Sequence, residues 1–158
     1  MRVGTRTRLF VATLLPVMAA GVALAFVLHV DVERDTEAQA WTALERVRDA
    51  LAPRIAAATR DELDHMARIA GQSSGVRVTV IAGEGRVLAD SQVPAGRVDA
   101  LDNHAGRPEV AQALADGAGR SRRYSDTLRA PSFYSATRID ATDGPRILRL
   151  AYAAHEVE

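Results

Sequence analysis

Cysteine is absent from this 158-residue chain, so the fold has no disulfides and must hold by packing alone, and a thiol nucleophile is excluded. Lysine is absent too: all 20 basic residues are arginine, set against 20 acids, for a formal net charge of zero. Aromatic residues make up only 4%, and no pattern interleaves them with arginines as a nucleic-acid surface would require. Enzyme signatures are missing as well. No HExxH or other close histidine–acid set has metal-ligand spacing, and none of the serines from Ser73 to Ser135 sits in a nucleophile elbow. The Gly-rich pieces at 83–85 and 117–119 read as turns, not phosphate loops. Asp61, Asp64 and His65 read as a solvated helix face. No catalytic residue, metal or cofactor is therefore expected within this chain.

What the chain does have is one long uncharged stretch, Leu9 to Val30. At about 1.5 Å per helical residue it matches the roughly 30 Å hydrocarbon core of a bilayer. Membrane helices tolerate a proline such as Pro16. Arg2, Arg6 and Arg8 precede the stretch and Asp31, Glu33 and Asp35 follow it. The positive-inside rule then places the N-terminus in the cytoplasm and the remainder outside it. A cleaved signal peptide, cut near Ala23-Leu24-Ala25, is the competing reading, although its apolar core is usually shorter. Three of the 20 arginines lie before the stretch, so 17 face 20 acids in the rest, an outer part that is mildly acidic and the size of one domain.

From Asp31 the pattern turns helical, with Trp41, Leu44, Val47, Leu51 and Ile55 forming one apolar stripe. That stripe can pack on the domain or on the same helix of a second copy, so a homodimer through the membrane and membrane-proximal helices is expected. Pro53 should break or kink this helix. Thr59 and Glu62 have capping-box spacing for a second helix, with Leu63, Met66 and Ile69 buried and Gly71 at its stop. The period then falls to two. Val76, Val78 and Val80 alternate with Arg77 and Thr79 as a strand with one buried side, and Arg86–Ala89 is its hairpin partner across Gly83-Glu84-Gly85. Residues 92–107 read as loop. Pro108 suits the first position of a short helix, with Val110, Ala113 and Leu114 apolar and Gly117 ending it. Three more strands follow at Arg120–Thr127, Phe133–Ile139 and Arg146–Tyr152, with turns at Ala130-Pro131 and Asp143-Gly144-Pro145. The fold class is α+β, with an antiparallel sheet of about five strands whose helices cover one face.

Five segments in a particular order carry a resemblance: 76–91 (VRVTVIAGEGRVLADS), 102–119 (DNHAGRPEVAQALADGAG), 122–128 (RRYSDTL), 133–136 (FYSA) and 146–151 (RILRLA). Together they resemble the extracytoplasmic, PAS-like sensor region of bacterial two-component histidine kinases of the phosphate-response and cell-wall-sensing type. The likeness divides the chain into a cytoplasmic N-terminus (1–8), a transmembrane helix (9–30), membrane-proximal and second helices (31–71), a PAS-like domain (72–152) and the start of an exit helix (153–158). It implies an inner-membrane location and a kinase core beyond Glu158. That core would use ATP and magnesium and would engage a cognate response regulator, and no part of it lies here. His29, His65, His104 and His155 have no phosphoacceptor context. A chemoreceptor or cyclic-nucleotide enzyme bearing the same sensor, or a self-standing single-pass envelope protein that binds a partner or ligand, are the other readings.

Candidate ligand residues are His104, Arg107, Arg122, Tyr124 and Tyr134. His104, Arg107 and Glu109 form the most prominent polar cluster and read as part of a ligand or proton sensor, in which His104 titrates near neutral pH and Arg107 offers a fork to an anion. The alternative is structural: Asn103 and His104 cap the helix at Pro108, and Arg107 pairs with a carboxylate such as Asp90. Arg120 and Arg122 share a strand face with Tyr124 while Arg123 points the other way. These arginines offer either an anion or carboxylate site or a charge-protected strand edge. Tyr124, Phe133, Tyr134 and Tyr152 line a pocket or fill the core, and Trp41 packs on the domain or a partner helix.

Overall fold

The structure, a computed structural model, describes residues 5–125 and 130–153. The side chains at 5–13, 15, 16, 27–36, 125 and 130 are not among those described. The exit helix expected at 153–158 lies outside the described residues past Ala153, which still belongs to the last strand. The chain divides into two units, residues 1–39 and 40–158.

Helix α1 runs from Thr5 to Ala57. In the first unit it carries the apolar stretch, and the described large side chains there, Leu14, Val17, Met18, Val22, Leu24 and Phe26, are 45–68% exposed. Among the described residues no helix is long and apolar enough to cross a membrane, and much of Leu9–Val30 lies outside them.

The second unit is built on a five-stranded antiparallel sheet ordered β2-β1-β5-β4-β3. Its strands are β1 (Arg77–Ala82), β2 (Val87–Asp90), β3 (Ala118–Ser125), β4 (Ala130–Ala141) and β5 (Gly144–Ala153). Paired residues share a face, so the register sorts the side chains. Val78 with Leu150, Val80 with Leu148, and Phe133 with Tyr152 face one way. The last turns of α1 and helix α2 (Glu62–Ser74) cover that face, where Leu44, Leu51, Ile55, Leu63 and Ala67 complete the main core. Helix α3 (Pro108–Asp116) covers part of the other face, over Ile81, Ala136 and Ile147 with Val110 and Ala113. Helices on one face only, as the pattern implied, is thus corrected. β1 is buried on both sides, with Thr79 and Ile81 inaccessible.

Several boundaries also moved. Pro53 does not break α1, because it lies exposed in the final turns. Leu51 and Ile55 on the opposite side hold these turns in the core. Only half the capping box forms: Glu62 accepts from the Thr59 amide at 2.7 Å and from its hydroxyl at 2.8 Å. Helix α2 passes the expected stop at Gly71 and ends at Gly75, which takes the left-handed conformation (φ 69°) open to glycine. Gly71 instead admits the second strand, for a Cβ there would lie 2.5 Å from that of Ser91. Ile69 is 51% exposed, and Ala67 takes the buried place assigned to it. The loop after β2 holds a 3-10 turn at Ala95–Ala100. Ala130 and Pro131 pair with Ser125 and Tyr124 within the sheet instead of turning.

Arg146 ties sheet to helix. Its Nη1 donates to the carbonyls of Ile55 and Ala58, both at 2.8 Å, and Nη2 to Asp143 at 2.6 Å. A cation at a helix C-terminus satisfies end carbonyls and complements the macrodipole. Arg146→Ala should cost about 2–4 kcal/mol, since it strands two buried carbonyls at about 1–3 kcal/mol each. Urea denaturation is the check, and Asp143→Ala, which removes the half-exposed carboxylate from Nη2 but leaves both carbonyls paired, should cost less than Arg146→Ala.

Candidate functional site

The sheet face that α3 leaves open forms a cleft of about 880 Å³, lined by Arg77, Leu101, Asp102, His104, Arg107, Arg123, Tyr124, Ser132, Tyr134, Arg149, Tyr152 and their neighbours. That is within the size range of small-molecule sites. Two carboxylates lie beneath it. Asp90 accepts from Arg77 Nε at 3.1 Å and Nη2 at 3.0 Å and from the Thr79 hydroxyl at 2.8 Å. Glu109 accepts from Ser121 at 2.6 Å, Arg149 Nε at 2.8 Å and Arg123 Nη2 at 3.1 Å. Both carboxylates are fully buried. What the cleft presents to solvent is therefore guanidinium. The planes of Arg123 and Arg149 lie 4.2 and 4.7 Å from the Tyr134 ring centre, close enough for cation–π attraction.

Glu109 reaches this place because Pro108 starts α3 directly before it, and because α3 lies against a strand with no side chain in the way. A Cβ on Gly119 would sit 2.1 Å from the Glu109 carbonyl oxygen. Burial by itself would raise the Glu109 carboxyl, but hydrogen bonds from Ser121 and Arg149 outweigh it and hold the group below its ordinary range. Burial also lowers Arg149, against the pull of Glu109. His104, buried in the loop before α3, has Nδ1 2.8 Å from the Asp102 carbonyl. Its pKa is lowered by burial and by Arg149, Arg107 and Arg77, with the Asp102 bond opposing.

Of the residues singled out from sequence, the cleft brings together His104, Arg107, Tyr124 and Tyr134, with Tyr124 63% exposed at the rim. It does not include Arg122. That side chain projects from the opposite face, 5.6 Å from the Phe133 ring centre, because β3 pairs Arg122 with Phe133 and Arg123 with Ser132. Arg123 takes the expected role, and Arg77 and Arg149 join it. Alternation along β1 marked Arg77 as facing away from the valines, but only the β1–β5 register, which pairs Arg77 with Ala151 and Thr79 with Arg149, brings Arg149 onto the same face beside it. Asp90 belongs to Arg77 rather than Arg107, and Arg107 has no carboxylate partner among the described residues. Asn103 and His104 do not cap α3. Asn103 donates to the Glu84 carbonyl at 2.9 Å, and the His104 amide to that of Gly85 at 2.8 Å, which pins the loop to the β1–β2 turn. On the far face, Trp41 packs edge-on against Phe133 at 5.4 Å, under the Arg120 guanidinium at 5.0 Å, which also pairs with Glu45. Among the described residues no cluster of His, Asp and Glu could hold a metal ion.

No family model matches the sequence, and no curated protein matches it. Among solved structures, the crystal structure of the E. coli DcuS sensor domain is similar at 14% identity and a TM-score of 0.49, over 76% of this chain and 90% of that one. No conclusion rests on a likeness of that size.

Glu109→Ala should destabilise the domain by about 3–5 kcal/mol, because Arg149 would be left buried without its partner. Since the folded Glu109 carboxyl lies below its unfolded value of about 4.3, its stabilisation is complete above that value and is lost as pH falls through the folded pKa. Urea denaturation from about pH 6 to about pH 3 should therefore show a fall in stability, and Glu109→Gln should flatten it.

Proposed function

We propose that this chain is the extracytoplasmic, PAS-like signal-input region of a membrane-bound two-component sensor histidine kinase, of the phosphate-response and cell-wall-sensing type. One observation carries the reading: the cleft and helix α1 occupy opposite faces of one sheet and are gripped by the same strands. β3 sends Ser121 and Arg123 to the Glu109 cluster and Arg120 to Glu45 and Trp41 of α1. β5 sends Arg149 to the cleft and Arg146 to the end of α1. A ligand that binds one arrangement of β3 and β5 better than another biases the position of α1 by its differential affinity. The bare apolar side chains from Leu14 to Phe26 support a lipid setting for the first part of α1, with the N-terminal arginines in the cytoplasm. A homodimer through α1, and a kinase core using ATP and magnesium to phosphorylate a response regulator, complete the proposal.

Two measurements test it. A reporter fused after Glu158 should be active only outside the cytoplasm, and cytoplasmic activity would sink the topology. Trp41 is the single tryptophan. A small carboxylate bound in the cleft should change its emission, and Arg120→Ala should abolish the change while binding persists. Binding with unaltered emission would break the proposed link between cleft and helix.

A further inference from the structure

We infer that the cleft selects a small organic monoanion, one carboxylate on an apolar body, and that Glu109 is the residue that excludes dianions. The inference rests on the reading of the cleft as an anion site. Four arginines line it, but three are already engaged: Arg77 by Asp90, and Arg123 and Arg149 by Glu109. A ligand carboxylate that took Arg149 or Arg123 would leave Glu109 charged and buried without its partners, the costly half of any broken internal pair. Glu109 has no room to withdraw either. The α3 backbone lies against Gly119 so closely that even a methyl group would collide with it. Ser121 and Arg149 hold the Glu109 carboxylate from two different strands.

That leaves Arg107 as the lining guanidinium with no carboxylate already on it among the described residues. A planar fork of this kind binds one carboxylate in bidentate fashion. Asp102, also on the wall, repels a second negative group. Beside these groups Leu101, Ala151 and Ala153 on the wall give a hydrocarbon body an apolar surface to lie against. Rejection of the dianion thus comes from an internal carboxylate already seated where the second charge would go.

Isothermal titration of the full chain in detergent micelles tests this with matched probes, butyrate against succinate and benzoate against phthalate. The expected result is binding of each monocarboxylate about tenfold or more tighter than its dicarboxylate partner, with Arg107→Ala removing about tenfold of the monocarboxylate affinity. In Glu109→Gln the dicarboxylates should gain and the preference narrow or reverse. If that variant does not fold, the rank order in the natural chain decides by itself. Dicarboxylates binding more tightly to the natural chain would overturn the selectivity while leaving the cleft an anion site. No binding of any of the four to the natural chain would overturn the anion reading with it.

Discussion

The arrangement of the second unit depends on one buried ion cluster, that of Glu109 with Ser121, Arg123 and Arg149. A helix of nine residues is too short to hold its shape without tertiary contacts. α3 has a small apolar face in Val110, Ala113 and Leu114, and Glu109 fixes it to two strands that are not neighbours in the sheet. A buried charge is tolerated only when its hydrogen-bonding capacity is met, and here the partners come from two strands, Ser121 and Arg123 of β3 and Arg149 of β5. The same cluster makes the floor of the cleft, so the site and the packing of this face have a single physical origin.

The opposite face works by different means. Leu44, Leu51 and Ile55 of α1 meet Val78, Val80, Phe133, Leu148 and Leu150 in a dry core, and polar contacts stand only at its margins. Arg146 closes one end by satisfying the carbonyls of Ile55 and Ala58. Trp41, Arg120 and Glu45 close the other. Shape complementarity governs one side of the sheet and charge pairing the other. A change of charge in the cleft therefore reaches α1 through the strands that carry side chains to both faces, β1, β3, β4 and β5.

The sequence pattern revealed the elements better than their surroundings. The two-residue period of Val76, Val78 and Val80 announced β1, and Pro108 and Gly117 bracketed α3 to within a residue. What local pattern does not contain is the second layer. Thr79 and Arg77 looked solvated because polar residues alternating with valines signal an open face, yet Asp90 from the next strand satisfies both. Pro53 looked like a break because a local rule has no knowledge of which side of the helix faces water. The candidate site was half legible for the same reason. His104, Arg107 and Tyr134 stood out by chemistry. Glu109 stood out beside His104 and Arg107, but nothing local showed that it lies buried under Arg123 and Arg149, and choosing between Arg122 and Arg123 required the pairing of β3 with β4.

The alternation along β5 has a consequence for how the chain finds its fold. Arg146, Leu148 and Leu150 face α1 while Ile147 and Arg149 face α3. Sliding this strand by one residue would exchange the two sets, pressing the Arg149 guanidinium into the leucine core and turning Arg146 away from the helix end. Neither error is mild, and both occur together. β5 lies at the centre of the sheet, where each neighbour must match it. The two arginines thus act as proofreading marks for strand alignment during folding, in addition to anything they do once the domain is assembled.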